Sequence, residues 1–121
     1  MYGQEVDGST TMAQLTDNPE SSGLKTSFLE EVAIVIKVLG HPERIRIVEY
    51  IDNSEMKVSD IQKHLSLTQP VTSQHLRLMK DRGILRSRRD GTCVYYSLAT
   101  PLVHKMLVCL AETQRQMYEQ G

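Results

Sequence analysis

Apolar residues along the chain follow helical spacing in several separate segments, and two of these segments are more apolar than the others. Residues 24–39 and residues 101–118 carry apolar side chains around more than one face of a helix. A helix of that kind must be covered on two sides. A domain of this size has one core, so the pattern predicts that the first and last helices associate with a second copy of the chain, as a two-fold homodimer.

The residues between these two helices predict a helix-turn-helix unit. Pro42 suits the first turn of a second helix. Ser59 and Gln62 have the spacing of a capping box, which predicts that Ser59 is the N-cap of a short third helix. Thr68 suits the N-cap of a longer fourth helix, and Gly83 suits the left-handed position that follows it. A short helix, a tight turn and a longer capped helix form the helix-turn-helix pattern.

The fourth predicted helix has an inner stripe and a polar outer face. Thr72, Leu76 and Met79 fall at i, i+4 and i+7 and are expected to pack inward, although Thr72 is also a candidate for the outer side. Amide, hydroxyl and guanidinium groups match the donors and acceptors of base edges in the major groove. The residues predicted to lie nearest the bases are Gln69, Thr72, Ser73, Gln74, His75 and Arg77, with Lys80 on the DNA backbone. An ordinary solvated helix face is the alternative.

Two strand-like runs follow this helix, and Asp90-Gly91 between them is typical of a two-residue hairpin turn. Counting outward from that turn pairs Arg89 with Thr92 and Arg88 with Cys93. The hairpin predicts a β wing that places Arg88 and Arg89 near phosphates or in a minor groove. It also predicts a cation beside Cys93, which would make that thiol more reactive.

The chain has 121 residues and a formal net charge of −1, but the charge is distributed unevenly. Residues 1–31 contain six acidic residues and one basic residue, whereas residues 57–91 contain eight Lys or Arg and three Asp, a net charge of +5. A local basic surface favours contact with phosphates. Residues 1–23 show no apolar period and are rich in Ser, Thr, Gly, Asp and Asn, which predicts a disordered acidic tail.

Cysteine content and hydropathy indicate the cellular compartment. Two cysteines without a Cys-x-x-Cys motif support neither a disulfide scaffold nor a cysteine-rich zinc site, as is typical of a reducing cytoplasm. The sequence has no signal-peptide pattern and no apolar run that is long enough to span a bilayer. A soluble cytoplasmic protein without a membrane partner is therefore expected.

The order of the predicted elements and three sequence runs together resemble the ArsR/SmtB family of bacterial winged-helix repressors. The runs are Leu39-Gly-His-Pro-Glu-Arg-Ile-Arg-Ile-Val48, Gln69-Pro-Val-Thr-Ser-Gln-His-Leu76 and Val94-Tyr-Tyr-Ser-Leu98. The likeness covers residues 24–117. The resemblance implies a dimer, built from the first and last helices, that represses transcription and leaves its operator when an inducer binds.

Metal ligands are where the chain departs from this family. Metal-sensing members carry cysteines near the start of the third helix, where residues 56–58 of this chain are Met, Lys and Val. Other members use carboxylates and imidazoles along the last helix, where this chain has Thr113 and Gln116. Because these are poor ligands, no metal site and no cofactor are predicted. Four histidines remain, and they share no ligand-like spacing: His41, His64, His75 and His104.

The cysteines offer a different kind of signal. Relatives that sense persulfide or oxidants use paired cysteines, one near the start of the second helix and one in the last helix. Here Cys93 lies in the predicted wing and Cys109 in the last helix, so the match is partial. Both are candidates for redox sensing, and two packed, unreactive thiols are the alternative.

These patterns together predict a mainly α winged helix-turn-helix domain, residues 24–118, with five helices and a two-stranded β-hairpin wing, dimerised through its first and last helices. The predicted function is a homodimeric repressor that binds double-stranded operator DNA and responds to an unknown small inducer. A winged-helix module that binds protein, or a constitutive regulator without an inducer, is the alternative. The sequence lacks a nucleophile elbow, a phosphate loop and a metal cluster, which argues against an enzyme.

Overall fold

The computed structural model describes residues 23–119, so the predicted tail lies outside the described residues except for Gly23. The described part contains five helices and three strands. These are α1 (Thr26–Val38), α2 (Pro42–Ile51), β1 (Met56–Lys57), α3 (Val58–Leu65), α4 (Gln69–Asp81), β2 (Leu85–Asp90), β3 (Cys93–Leu98) and α5 (Pro101–Glu119). Residues from Val35 onward form one compact unit, and the earlier part of α1 belongs to a separate unit.

The core of the larger unit contains side chains from all of its helices and from β2. Its fully buried members are Ile47, Val48, Ile51, Ile61, Thr72, Leu76, Met79, Ile84, Leu85 and Val103. Leu76 is 1% exposed and Met79 is 0% exposed, which confirms the inner stripe predicted for α4. Burial of a side chain of this size stabilises a fold by roughly 1.5–3 kcal/mol. This stripe therefore anchors α4 and leaves its other side free for contact.

Both ends of α4 form as the sequence predicts. The Thr68 hydroxyl accepts a hydrogen bond from a backbone N–H in the first turn, with an N···O distance of 3.4 Å. At the other end Gly83 has a φ of +81°, a conformation that favours glycine. The amides of Gly83 and Ile84 donate to the carbonyls of Lys80 (3.0 Å) and Met79 (2.8 Å). These two bonds form a Schellman motif, which ends the helix sharply.

The start of α3 differs from the prediction. Met56 and Lys57 form the short strand β1, which pairs with Tyr96 and Tyr95 of β3, so the sheet has three strands in the order β1-β3-β2. The helix begins directly after this strand, and its N-cap is Lys57, without a side-chain cap. The predicted capping box at Ser59 is wrong, because strand pairing extends the chain to residue 57 and places Ser59 inside the first turn.

The turn between α3 and α4 contains a strained position. Ser66 has a φ of +54°, in the left-handed region that non-glycine residues rarely adopt. The amides of Ser66 and Leu67 donate to the carbonyls of Lys63 (3.3 Å) and Gln62 (3.1 Å). These bonds end α3 tightly enough for α4 to begin three residues later.

The hairpin register also differs from the prediction. Asp90 pairs with Cys93 and Arg88 pairs with Tyr95, so the two-residue turn is Gly91-Thr92 rather than Asp90-Gly91. Gly91 has a φ of +64° at the first turn position, whereas Thr92 has no positive φ. That combination is typical of a type II′ turn, in which glycine occupies the first central position. The predicted pairs Arg88 with Cys93 and Arg89 with Thr92 are therefore wrong by two residues.

Helix α5 is mostly exposed within the single chain. Val103 is its only buried residue, and large apolar side chains further along remain exposed: Val108 (54%), Leu110 (53%), Met117 (64%) and Tyr118 (76%). Ile36 of α1 is also 57% exposed. None of the described helices is both long enough and apolar enough to cross a membrane.

Candidate nucleic-acid interface

The outer side of α4 presents a row of polar and basic side chains. Gln69, Gln74, Arg77 and Lys80 are exposed, and Ser73 is half-buried. The Gln69 Nε2 donates to Ser73 Oγ at 2.9 Å, which orients both side chains one helical turn apart. Within the described part of the chain, Arg77 and Lys80 form no ion pair. The row therefore presents amide, hydroxyl and cationic groups on the outer side of α4, and its two cations are unpaired among the described residues.

Thr72 does not belong to this row. Its side chain is 0% exposed, and its hydroxyl donates to the backbone carbonyl of Thr68 at 2.8 Å. Since the inward stripe and the outward row lie on opposite sides of the helix, Thr72 cannot reach a base edge. The expected inward position is confirmed, and this burial argues against the base contact predicted for Thr72.

His75 is also held on the inner side of α4. The residue is 9% exposed, and its side chain lies between two residues of α2. Arg44 Nε donates to His75 Nδ1 at 3.3 Å, and His75 Nε2 lies 2.9 Å from Glu43 Oε1. Both ring nitrogens are therefore engaged within the chain, which argues against the predicted contact between His75 and DNA.

Arg88 is paired within the chain rather than free. Its guanidinium donates to both carboxylate oxygens of Glu55, at 3.0 Å from Nε and 2.9 Å from Nη2, and lies 4.8 Å from the ring centre of Tyr95. The hydrogen bonds from Arg88 lower the pKa of the Glu55 carboxyl below its ordinary value. Glu55 thus occupies the Arg88 guanidinium, which was predicted from the sequence to contact a phosphate. No sequence signal indicates this pairing, because 33 residues separate the two partners.

Arg89 differs from Arg88 in both direction and pairing. Successive side chains on a strand point to opposite faces, so Arg88 and Arg89 lie on opposite sides of the hairpin. Arg89 is exposed and forms no ion pair with any described residue. It is therefore the arginine at the wing tip that is free to meet a phosphate.

The two cysteines differ in environment. Cys109 is exposed on α5, and Cys93 is half-buried at the start of β3. The residue across from Cys93 is the carboxylate Asp90 rather than Arg88, so the cation on which the predicted thiol activation depended is not its cross-strand partner. Cys93 instead lines a groove of about 330 Å³ together with Gln69 and Ser73 of α4.

An anchored helix with a free polar and basic row, beside a hairpin with an exposed arginine at its tip, defines a winged helix-turn-helix protein. The family described as "Bacterial regulatory protein, arsR family" matches residues 41–87. A biofilm growth-associated repressor from Agrobacterium fabrum is 31% identical over 80 residues, which cover 66% of this chain and 68% of that protein. The transcriptional repressor PagR from Bacillus anthracis is 34% identical over 87 residues, covering 71% of this chain and 87% of that protein.

Solved structures give the same result for the fold. The homodimeric winged helix-turn-helix DNA-binding domain of a Mycobacterium bovis protein matches with a TM-score of 0.69 at 24% identity, covering 84% of this chain and 96% of that one. The chain belongs to the ArsR family of bacterial regulatory proteins, which confirms the resemblance found in the sequence. It is a transcriptional regulator and not an enzyme.

Proposed function

We propose that this chain is a homodimeric, sequence-specific DNA-binding repressor that acts in the cytoplasm. The observation that carries the proposal is the outward polar and basic row on α4, whose members are Gln69, Ser73, Gln74, Arg77 and Lys80. The buried stripe on the other side of the helix holds this row in a fixed position. Preorganised donors lose little side-chain freedom on binding, which favours affinity. The names of the Agrobacterium and Bacillus relatives, both repressors, support the same role.

The row divides into residues that read sequence and residues that hold the backbone. Gln74 and Arg77 carry the groups that bond bidentately to adenine and guanine in the major groove. Lys80 lacks a planar bidentate group, and Arg89 lies on the wing rather than on α4; neither forms an ion pair with a described residue, and we assign both to phosphates. Arg88 is left out of this set because Glu55 already occupies its guanidinium.

The dimer is the second part of the proposal. Val108, Leu110 and Met117 are each more than half exposed on α5, and exposed apolar side chains also occur on α1. Association of two copies would remove such surface from water at about 25 cal/mol per Å² of apolar area. A two-fold dimer places two α4 helices at half-sites roughly 34 Å apart.

Selection from a pool of random duplex DNA tests specific binding. We expect one enriched sequence with two-fold symmetry, and we expect Gln74→Ala to reduce its affinity while leaving affinity for random DNA unchanged. Lys80→Ala should weaken both, and Lys105→Ala on α5 is the matched control, which should change neither. Absence of any enriched sequence, with no DNA binding at low salt, would instead support a protein-interaction module.

The third part of the proposal concerns the signal that releases DNA, and we assign the sensing of an oxidant to Cys93. Hydrogen peroxide transfers one oxygen atom to the Cys93 thiolate, which becomes a sulfenic acid as the O–O bond breaks and hydroxide leaves. The larger, polar side chain would then occupy the groove that Gln69 and Ser73 line. Oxidation should therefore weaken operator binding by the wild type and by Cys109→Ser, but not by Cys93→Ser. An equal loss of affinity in Cys93→Ser would exclude Cys93 as the sensor.

A further inference from the structure

Two histidines and a carboxylate that are distant in sequence come together between α2 and α4. His41, Glu43 and His75 each offer one ligand atom, and these atoms lie within 4.8 Å of one another. The two imidazole rings meet edge to face, with their centres 4.8 Å apart and an angle of 68° between their planes. More than 30 residues of chain separate His75 from the other two, so sequence spacing does not indicate this cluster.

Two of the three residues are held in place, and the third can adjust. His41 is the N-cap of α2, and its Nδ1 accepts a hydrogen bond from the Glu43 amide at 3.2 Å, which leaves Nε2 available. His75 is fixed on the inner side of α4, with its side chain 11% exposed. The Glu43 carboxylate is the mobile member, because its side chain is 44% exposed. Two positioned imidazoles and an adjustable carboxylate form a ligand set that does not require a new backbone arrangement.

We propose that His41, Glu43 and His75 form a binding site for a divalent transition metal ion of the Zn²⁺ type. Two imidazoles and one carboxylate, with water in the fourth position, are a common tetrahedral set for zinc. Ligand atoms in such a set are about 3.4 Å apart, so the widest separation must close by about 1.4 Å. Rotation of the exposed Glu43 side chain and a small shift of the His41 ring supply that movement. The site connects the start of α2 to α4.

Arg44 competes with the metal for His75. Because Arg44 Nε–H donates to His75 Nδ1, the ring proton resides on Nε2 and points to Glu43 Oε1. When a metal binds His75 Nε2, the ring proton moves through solvent to Nδ1. The Nδ1–H and the Arg44 Nε–H, both donors, would then face each other. Metal binding therefore expels Arg44 Nε from the ring, while Arg44 Nη1 keeps its bond to the Val38 carbonyl at 2.8 Å.

Zn²⁺ titration of the full chain against a chromophoric chelator tests the site without DNA, so its outcome is independent of the proposed repressor function. We expect one ion per chain, and Co²⁺ in its place should give visible absorption typical of tetrahedral coordination. His41→Ser keeps an N-cap but removes a ligand. It should weaken Zn²⁺ binding at least about tenfold, because replacing even a residue that only hydrogen-bonds to a ligand lowers metal affinity by about that much. His64→Gln, at an exposed histidine outside the cluster, is the matched control and should bind as the wild type does.

Arg44→Met provides the opposite prediction. Removing the competing donor should strengthen Zn²⁺ binding, whereas a merely structural disturbance of the cluster would weaken it. Equal Zn²⁺ affinity of His41→Ser and His64→Gln would overturn the proposal, as would a wild-type chain that binds no Zn²⁺ at micromolar concentration. Serine can cap α2, so the circular dichroism melting curve of His41→Ser should match that of the wild type. The test of the site with His41→Ser then stands even if Arg44→Met does not fold.

Discussion

The pairing of Arg88 with Glu55 gives the sharpest prediction for the proposed DNA complex. Glu55→Gln removes the carboxylate that accepts both guanidinium hydrogen bonds, at 2.9 and 3.0 Å, without a large change in side-chain volume. Arg88 then keeps only the longer ion pair to Asp90, at 4.0 Å, remains 52% exposed on the wing, and can turn to a DNA phosphate. We therefore expect Glu55→Gln to bind DNA more tightly than the wild type at low salt, independently of DNA sequence.

The magnitude follows from counterion release. Each added phosphate contact steepens the dependence of log affinity on log salt by about 0.9, so one new contact in each protomer of a dimer steepens it by about 1.8. Between roughly 50 and 200 mM salt, the affinity of the variant should fall about 12-fold more than that of the wild type. Fluorescence anisotropy of a labelled random duplex, measured across that salt range, gives both slopes.

Two further variants distinguish release of Arg88 from a simple change in charge. Glu49→Gln on α2 also removes a carboxylate paired with an arginine, since Glu49 Oε1 lies 3.2 Å from Arg46 Nη1. It is the matched control and should leave the slope unchanged. Glu55→Gln combined with Arg88→Gln should restore the wild-type slope. An identical slope in wild type and Glu55→Gln, or an equal increase in Glu49→Gln, would refute the reasoning.

Three other results are expected. Arg89→Gln should flatten the salt slope by about 0.9 per protomer while Arg88→Gln alone changes it little, because Arg89, unlike Arg88, forms no ion pair with a described residue; equal effects in the anisotropy assay would contradict this. Ser66→Gly should raise the free energy of unfolding by about 0.5–1 kcal/mol, because glycine relieves the strain of the left-handed backbone. Ser59→Gly should lower the free energy of unfolding by a similar amount, because residue 59 lies inside a helix. Urea melts measure both changes. Arg88 lowers the pKa of Glu55, so their ion pair persists at neutral pH and is lost as the pH falls through that lowered pKa. The tighter DNA binding and steeper salt dependence expected of Glu55→Gln should therefore appear in the wild type only in acid.

Local signals were sufficient for much of the fold. The N-cap at Thr68, the left-handed Gly83 and the inward Leu76 and Met79 all depend on residues within one or two turns of α4. The hairpin register failed because Asp90-Gly91 and Gly91-Thr92 both provide a glycine-containing turn, and sequence alone does not say which turn position Gly91 occupies.

The surroundings of the candidate site residues were less predictable, because they depend on contacts between distant segments. His75 shares α4 with Gln74, but Arg44 and Glu43 from α2 hold it inward. Arg88 carries the same charge as Arg89, but Glu55 neutralises only one of them. Periodicity assigns a residue to a face of its own helix or strand, and it does not reveal which partner that face meets.

Three residues separate α4, the helix proposed to read DNA, from β2, and the last of them, Ile84, is bonded to both sides of this connection. Its amide donates to the Met79 carbonyl at the end of α4 (2.8 Å), its carbonyl accepts from the Ala99 amide beyond β3 (2.9 Å), and its side chain is 1% exposed. With both backbone groups and the side chain fixed, no flexible joint separates α4 from β2. A tilt of α4 must therefore carry the wing tip with it, so base contacts and wing phosphate contacts should dissociate together rather than in sequence.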